Sequence, residues 1–221
     1  MSDAAASLAA SLPVVERVVR CIAQTAVDNE SHFCALDSVV GDGDFGFSLA
    51  RGFEKVLAEF DTLDRSSVSG FLKKVAVIIT SRCGGTSGPI WGTAFLRAGA
   101  AATELPALGP AEVVVLLRAA FNGIAQRGGA SLGDKTLLDA LGPFTDCFER
   151  EAVASKQDPL LALERAVEAA EDAARATSEL VAKRGRAAYT GERSRGSVDP
   201  GATALAVIAR RVCGSLREVD A

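Results

Sequence analysis

The chain has 221 residues, with 24 Lys and Arg against 28 Asp and Glu, and a formal net charge of −4. This length predicts a single domain over residues 1–221 that buries a core without disulfide bonds. The small acidic excess argues against a nucleic-acid-binding protein, because such proteins carry a marked basic excess. No apolar run reaches the ~18 residues of a membrane-spanning helix, and the N-terminus lacks the basic stretch of a secretion signal. We therefore expect a cytoplasmic protein that binds neither nucleic acid nor membrane.

The cysteines and the histidine restrict the possible chemistry. Five cysteines are odd in number and widely scattered, which fits neither a disulfide framework nor a zinc site and indicates free thiols in a reducing compartment. The single histidine, His32, excludes a His-rich metal site and leaves little room for a Ser-His-Asp mechanism. Any chemistry is therefore expected from carboxylates, glycines, hydroxyls and arginines.

Apolar residues recur near the helical spacing along most of the chain, which predicts an all-α protein of about eight helices with little or no sheet. The first predicted helix covers 5–28, where Pro13 marks either a break or a true start near Ser11. Residues 76–80 could form a strand, but they lie within a helix-length periodic window. The other predicted helices are 46–61, 67–82, 88–104, 110–127, 135–155, 158–184 and 200–216.

Glycines are concentrated in four segments between these helices, at 41–46, 84–88, 128–136 and 191–201. Ordinary connections in a helical bundle do not need glycine-rich loops with Asp and Ser four times over. Glycine lets backbone N–H groups approach a ligand closely, and the N-terminus of a helix favours anions. Loops of this kind before helix starts are suited to phosphate binding.

Three carboxylates, Asp37, Asp42 and Asp44, fall in the first of these regions, with a glycine on each side of Asp42. In a compact turn Asp42 and Asp44 would repel each other unless a cation neutralised them, and their oxygens suit Mg²⁺ or Ca²⁺. The loop is too short for an EF-hand and lacks its distal Glu. The alternative is an ordinary turn in which Asp44 is the N-cap of the next helix. The residues alone leave both interpretations open.

The second and third loops give weaker signals. Thr86 and Ser87 could hold phosphate at the start of a helix, or could simply cap that helix. Residues 128–136 superficially match a P-loop, but Asp134 precedes Lys135 where the motif has glycine, and the preceding segment is predicted as helix. We therefore reject a P-loop and predict Asp134 as the N-cap of the following helix.

The fourth region is basic in an otherwise acidic chain. Arginine forks fit phosphate oxygens, whereas cations also suit the C-terminus of the predicted helix 158–184, with Pro200 opening the last helix. Taken alone, this stretch favours the second interpretation. Its five basic residues are Lys183, Arg184, Arg186, Arg193 and Arg195.

Together, four segments resemble the nucleotide-binding L subunit or domain of the dihydroxyacetone kinases. They are LDSVVGDGDFG (36–46), GGTSGPIWGTAFLRAG (84–99), GGASLGDKTLLDAL (128–141) and RGRAAYTGERSRGSVDPGA (184–202), in the family's order and spacing. The resemblance implies an eight-helix up-and-down barrel with an ATP or ADP site at one end. It also implies that Asp37, Asp42 and Asp44 bind two Mg²⁺ ions that bridge the nucleotide phosphates.

The resemblance further implies a set of nucleotide contacts around these carboxylates. Many members carry His where this chain has Phe45, so a polar side-chain contact is absent there, and nucleotide affinity or the choice of donor could differ. The implied contacts are Phe45, Gly46, Phe47, Ser48, Thr86, Ser87, Gly128, Leu137, Arg186, Asp199, Pro200 and Gly201.

The resemblance also implies partners. In the family, a histidine of a separate K subunit or domain holds dihydroxyacetone covalently, and His32 lies outside the motifs here. We therefore expect one half of a kinase that transfers a phosphoryl group from Mg-nucleotide to dihydroxyacetone or a similar ketose on a K subunit. The donor is either exchanging ATP or a phosphohistidine protein of the phosphotransferase system that rephosphorylates bound ADP. A homodimer is left open.

Three alternatives remain at this point. One is the nucleotide domain of a related kinase with another acceptor, such as a fatty-acid kinase, against which the match over 184–201 argues. Another is an ADP-dependent regulator that docks on a transcription factor. The third is a helical interaction module whose glycine loops are only turns, which leaves four matched segments to coincidence.

Overall fold

The protein is described by a computed structural model that covers residues 3–105 and 107–220, with side chains described from 11 to 105 and from 107 to 218. Over these residues it is helical and contains no strand, and none of its helices combines the length and apolar character needed to cross a bilayer. The α-helices are α1 Asp3–Asp28, α2 Glu30–Asp37, α3 Phe45–Glu59, α4 Val68–Arg82, α5 Ser87–Ala101, α6 Pro110–Gly128, α7 Leu138–Phe148, α8 Pro159–Ala176 and α9 Pro200–Asp220.

The long helices form a closed ring. From α3 to α9 each helix packs against the next, α9 packs against α1, and α1 packs against α3. Most connections are short, which favours antiparallel neighbours as in up-and-down helical bundles, whereas residues 177–199 form a long connection from α8 to α9. The predicted all-α, eight-helix barrel is therefore confirmed. The ninth helix is the short α2, which lies against α3 and α9 and for which the sequence pattern predicted no helix.

Several helices begin at residues that satisfy the free N–H groups of the first turn. Asp158 accepts hydrogen bonds from the N–H groups of Leu160 and Leu161, directly before Pro159 at the start of α8. At the start of α6, Oε2 of Glu112 accepts a hydrogen bond of 3.0 Å from the N–H of Gly109. The predicted start of a helix at Pro110 is confirmed.

The core changes character around the ring. On the side of α1, α3, α4 and α5 it is aromatic, with Phe33, Phe53, Phe60 and Phe71 almost completely buried. On the side of α7, α8 and α9 it is rich in alanine, including a stripe at every fourth residue of α8 from Ala162 to Ala174. Small side chains allow α8 and α9 to pack closely, whereas each buried Phe contributes roughly 1.5–3 kcal/mol of transfer free energy.

Two predicted helices end earlier than their sequence pattern suggested. Helix 158–184 ends at Ala176 and tightens into a 3₁₀ turn over Thr177–Glu179. The Thr177 hydroxyl donates to the Ala174 carbonyl at 2.6 Å and accepts the Asp199 N–H at 2.8 Å, so the start of α9 fixes this end. Helix 135–155 begins only at Leu138 and passes after Phe148 into a π-helical turn over Glu149–Ala154.

Other uncertain points in the sequence are settled as helix. Residues 76–80 lie within α4, so the strand alternative was wrong. Pro13 lies inside α1 without breaking it. Since the remaining predicted helices are found within a few residues of their expected bounds, the four glycine-rich segments fall at helix boundaries.

Candidate functional site

The four glycine-rich segments lie next to the N-termini of α3, α5, α7 and α9, which all begin at the same end of the barrel. The close approach of these segments is seen at their glycines. Gly84 of the second loop lies so near Ser48, in the first turn of α3, that a Cβ on Gly84 would be 3.0 Å from the Ser48 Oγ. A Cβ on Gly128 would lie 3.2 Å from Cδ1 of Ile90 at the start of α5. The second loop therefore adjoins the first loop on one side and the third loop on the other.

Two further contacts close this ring of loops. A Cβ on Gly201 would lie 3.3 Å from Cβ of Leu137, which places the start of α9 against the end of the third loop. Arg186, which lies shortly before the fourth glycine-rich segment, contacts Asp42 and Asp44 of the first. Four positively polarised helix ends therefore surround one region of the molecule, an arrangement that favours anions.

Asp37, Asp42 and Asp44 form the acidic centre of this region. One carboxylate oxygen from each lies within 4.8 Å of the others. Asp37 is the last residue of α2, whereas Asp42 and Asp44 lie in the turn that leads into α3. The N–H of Phe45 donates to Oδ2 of Asp37 at 3.4 Å, which links this carboxylate to the first turn of α3.

Asp44 and Thr86 could instead serve only as helix caps, which would require their side chains to accept hydrogen bonds from the first turns of α3 and α5. Asp44 occupies the N-cap position of α3 and Thr86 that of α5, but neither side chain makes a capping hydrogen bond. By contrast, Ser67 caps α4 through a bond from the N–H of Gly70 to its Oγ. A capping role therefore does not account for the orientation of Asp44 or of Thr86.

Arg186 is the cation at this acidic centre. One terminal nitrogen contacts the carboxylate of Asp42, and Nη2 lies 3.3 Å from Oδ2 of Asp44. All three side chains are about half exposed, and exposed ion pairs contribute only about 0–1 kcal/mol each. The arginine therefore offsets the repulsion among the carboxylates without forming a strong lock on them.

The donor set of the acidic centre fits a hard divalent cation. Three carboxylate oxygens within bridging distance suit Mg²⁺ or Ca²⁺, whereas zinc or copper would favour nitrogen and sulfur ligands. Cys34 is nearby, but its Sγ accepts a hydrogen bond of 3.2 Å from the N–H of Phe47. The cluster thus matches the magnesium chemistry implied by the sequence resemblance.

The residues after Asp44 pack tightly onto α2. A Cβ on Gly46 would lie 2.1 Å from the carbonyl oxygen of Glu30 and 2.7 Å from the backbone nitrogen of Cys34, so only glycine allows this approach. The ring of Phe45 packs on Phe33 in the core, with 6.1 Å between ring centroids. The side chain of Phe45 is therefore used for packing.

Phe47 and Ser48 continue this turn in opposite environments. Phe47 is exposed, with the guanidinium carbon of Arg51 5.0 Å from its ring centroid. Ser48 is buried beside Gly84 of the second loop. The second loop continues through Thr86 into Ser87, the first residue of α5.

In the third loop, the carboxylate of Asp134 does not make the helix-capping hydrogen bond that the sequence predicted. Asp134 does not cap α7, which begins at Leu138; instead, its carboxylate accepts the N–H of Ser131 at 3.0 Å. Asp139 accepts from the N–H groups of Gly133 and Thr136, the latter at 2.7 Å. The predicted cap role of Asp134 was wrong because its carboxylate binds its own loop and the side chains of Lys183 and Arg184.

The sequence predicted no role for Lys135 after the P-loop was excluded, but the structure gives it a role in packing. Its side chain is almost completely buried, and its Nζ donates to the carbonyls of Leu180, Ser194 and Ser197 at 3.2, 2.6 and 2.5 Å. Burial lowers the pKa of this ammonium, and the nearby Asp199 opposes that shift. No periodic pattern signals such a contact, since its acceptors are backbone carbonyls far along the chain.

Asp199 directly precedes α9, and its carboxylate contacts the first turn of that helix. Burial raises its pKa to about 7, and the negative charge of Asp139 adds to this shift. Its carboxylate accepts the N–H of Ala202 at 2.7 Å, while Pro200 begins the helix. The Asp199-Pro200-Gly201 turn therefore joins the ring of loops through Gly201 and Leu137, whereas the Asp199 carboxylate is used in the helix start.

The fold and the site together are those of an all-helical barrel with a candidate metal and phosphate site at its helix N-termini. The chain belongs to the DAK2 domain family, whose model matches residues 39–214. It is 35% identical over 192 residues to the PEP-dependent dihydroxyacetone kinase, ADP-binding subunit DhaL, of Escherichia coli (strain K12), and covers 90% of that protein with 87% of its own length.

Larger kinases match over part of their length. The D-erythrulose kinase of Mycolicibacterium smegmatis is 35% identical over 201 residues, which are 90% of this chain but 34% of that protein. The crystal structure of the dihydroxyacetone kinase from C. freundii in complex with AMP-PNP and Mg²⁺ aligns with a TM-score of 0.72 and 26% identity. The alignment covers 92% of this chain and 34% of that kinase, so the chain spans about one third of these larger proteins.

Proposed function

We propose that the chain is the ADP- or ATP-binding subunit of a dihydroxyacetone-type kinase, which transfers a phosphoryl group to a small ketose held on a separate K subunit. The observation that carries this proposal is the cluster of Asp37, Asp42 and Asp44 with Arg186, at the barrel end where four helices begin. The names of its DhaL relatives and the AMP-PNP and Mg²⁺ complex of a structural neighbour support the same assignment.

The acidic centre supplies the metal ligands in this proposal. Asp37, Asp42 and Asp44 would hold Mg²⁺, and the family resemblance implies two ions. Bound Mg²⁺ would neutralise negative charge on the phosphate oxygens. Arg186 adds a cation at the same place, and its planar guanidinium matches phosphate oxygens in geometry. The first turns of α3 and α5 point their N–H groups toward the same region, where Thr86 and Ser87 add hydroxyl groups.

The residues at the site suit phosphoryl transfer more than other chemistry. This reaction needs positioning and charge neutralisation more than a protein nucleophile. His32 is exposed on α2 with its ring beside Phe33, and it is not among the residues of the site. The acceptor is accordingly placed on a second protein, and the remaining residues implied by the resemblance, from Phe45 to Gly201, are proposed to line the nucleotide side.

Nucleotide binding is the first test. Calorimetric titration of the purified chain with ADP and Mg²⁺ should give saturable binding, and the same titration in EDTA should be much weaker. Acid extraction of the purified protein followed by chromatography would show whether ADP remains bound through purification. Absence of binding with Mg²⁺ present would overturn the proposal and favour an interaction module.

Reconstitution tests the transfer and its donor. The chain is mixed with a competent K subunit and dihydroxyacetone, and supplied either with ATP or with ADP, phosphoenolpyruvate and the phosphotransferase proteins. Formation of the ketose phosphate is expected with one of these donors. No turnover with either donor would contradict the assignment.

The acceptor could also be erythrulose, and the relatives give a specific reason to test it. Besides the D-erythrulose kinase, an L-erythrulose 1-kinase of Mycolicibacterium smegmatis is 34% identical over 193 residues, although this chain covers 33% of it. Initial rates with dihydroxyacetone, D-erythrulose and L-erythrulose should follow the K subunit supplied. A preference that stayed with this chain when the K subunit was exchanged would contradict this division of roles.

A further inference from the structure

Asp134 and Lys135 lie outside the proposed nucleotide and metal ligands, and both bind the segment that carries Arg186. We propose that this pair is a positioning device, which holds residues 180–197 so that Arg186 meets the carboxylates of Asp42 and Asp44. The structural part of this inference stands on the contacts below. Its consequence for nucleotide binding rests on the proposed function.

Lys135 ties the two ends of the segment together. Its ammonium donates to the carbonyl of Leu180 at the beginning of the segment and to those of Ser194 and Ser197 at its end. An ammonium has three N–H donors, and all three are used here. Because Lys135 is only 3% exposed, these carbonyls take the place of water around its charge, and an apolar side chain could not bind them.

Asp134 holds the residues directly before Arg186. Its backbone carbonyl accepts the N–H of Lys183 at 3.1 Å. Its carboxylate lies 3.2 Å from Nζ of Lys183 and 3.3 Å from Nε of Arg184. Those two cations are thereby neutralised in place, and the backbone is fixed within three residues of Arg186.

The middle of the segment is strongly exposed, whereas hydrogen bonds also hold its two ends. The N–H of Ala182 donates to Oγ of the buried Ser194 at 2.8 Å, and the N–H of Gly196 donates to the carbonyl of Ser178 at 2.8 Å. Tyr189, near its middle, is 92% exposed. Gly185, Gly191 and Gly196 all have positive φ, and a Cβ on any of them would meet nothing within 4 Å. The middle of the segment therefore projects from the barrel and is placed by its two ends, to which Asp134 and Lys135 contribute the bonds described above.

The experiment compares Lys135→Met with Lys74→Met, which removes an exposed lysine from α4. Trypsin cleavage after Lys183, Arg184, Arg186, Arg193 and Arg195, mapped by mass spectrometry, reports the segment directly. Cleavage there should be about tenfold faster in Lys135→Met than in the control, since three charge-assisted hydrogen bonds are lost. Unchanged cleavage would overturn the inference, whether or not the chain binds a nucleotide.

A double-mutant cycle distinguishes positioning of Arg186 from general destabilisation. Lys135→Met should weaken Mg-ADP binding about tenfold in the otherwise natural chain, but have almost no effect in an Arg186→Gln background. Equal losses in both backgrounds would overturn the positioning role. Lys135→Arg, which retains a charged donor, should restore part of the affinity.

Two outcomes separate this inference from the proposed function. If the natural chain fails to bind Mg-ADP, the proposed function fails while the proteolysis result still decides the role of the pair in holding the segment. If Lys135→Met does not fold, Asp134→Asn replaces it, because the amide oxygen still accepts from Ser131 while the charge that pairs with Lys183 and Arg184 is removed. Asp134→Asn should then show faster cleavage at Lys183 and Arg184, and an unchanged tryptic map would overturn the inference.

Discussion

Nη2 of Arg186 lies 3.3 Å from Oδ2 of Asp44, although the two residues come from opposite ends of the sequence. The same guanidinium also contacts Asp42. Two of the three carboxylates proposed as metal ligands are thus paired with a cation of the protein itself. Arg186 and a divalent ion would therefore compete for the same oxygens unless the guanidinium turns to phosphate when nucleotide is bound.

This competition gives opposite expectations for metal and nucleotide when Arg186 is replaced. In Arg186→Gln, Mn²⁺ alone should bind up to about fivefold more tightly, because an exposed ion pair worth at most about 1 kcal/mol no longer has to be broken. Mg-ADP should bind about tenfold more weakly, because a charge-assisted bond to phosphate is lost. Electron paramagnetic resonance measures the first affinity and calorimetry the second.

Arg193→Gln is the matched control, since it removes an exposed arginine from the same segment. Both affinities should stay at the level of the natural chain in this variant. Parallel changes in the two variants would mean that net charge, and not the position of Arg186, governs binding.

Asp42→Asn tests the carboxylate cluster. Replacing one oxygen ligand by a neutral amide should weaken Mg-ADP binding by about a hundredfold, since even outer-shell changes at metal sites cost about 10–100-fold. The free energy of unfolding should change by less than about 0.5 kcal/mol, because an exposed side chain in a repulsive cluster is altered. Calorimetry and urea unfolding measure the two effects.

Asp172→Asn is the control for Asp42→Asn. Asp172 is also exposed and also paired with an arginine, Arg175, but it lies on α8 and is not part of the carboxylate cluster. It should bind Mg-ADP like the natural chain. Retention of full affinity in Asp42→Asn would show that the metal assignment is wrong.

Gly46 and Gly214 should respond in opposite ways to replacement by alanine. A Cβ at Gly46 would overlap the backbone of Glu30 and Cys34, so α2 has to shift, at a cost of about 1–3 kcal/mol or more. A Cβ at Gly214 in α9 meets nothing within 4 Å, and alanine there should add up to about 1 kcal/mol through helix propensity. At about 2–4 °C per kcal/mol, thermal unfolding resolves both changes.

The same pair of variants connects packing to the site. Because α2 ends at Asp37, the shift caused by Gly46→Ala should also weaken Mg-ADP binding, whereas Gly214→Ala should leave it unchanged. A Gly46→Ala protein that melted at the temperature of the natural chain would contradict the close contact between α2 and α3.

The sequence predicted the elements whose signals are local. Helix periodicity placed the long helices, and Pro110 with Glu112 marked the start of α6 because the capping contact lies within four residues. The three aspartates were recognised as one cluster because they lie close in sequence. That the four glycine-rich loops share one barrel end was implied by the resemblance and not by the pattern of residues.

What the sequence could not predict depends on contacts between distant segments. The end of α8 is set by Thr177, which binds the backbone of Asp199, whereas the periodic pattern continues beyond it. Asp134 was misjudged as a helix cap since its partners Lys183 and Arg184 come from another loop. Lys135 has a hydrophilic side chain in a glycine-rich loop, which normally indicates exposure, and only the carbonyls of a distant segment explain its burial.

The raised pKa of the partly buried Asp199 predicts a measurable pH dependence of stability. Its folded-state pKa is raised to about 7, chiefly by burial, from an ordinary value of 3.8. The folded chain therefore retains this proton over a pH range in which the unfolded chain has released it. The contribution of Asp199 to stability is fully present below about pH 4 and is lost as the pH rises to about 7, by on the order of 4 kcal/mol.

Asp199→Asn should remove this loss, because the amide cannot ionise and its oxygen can still accept the N–H of Ala202. The free energy of unfolding of the variant, relative to that of the natural chain, should therefore be higher at pH 8 than at pH 4.5. Urea unfolding at the two pH values measures this difference. Asp172→Asn, which alters an exposed carboxylate, should follow the natural chain at both pH values. If the stability of Asp199→Asn matched that of the natural chain at both pH values, the carboxyl of Asp199 would be ionised in the folded state, with its charge balanced by Lys135.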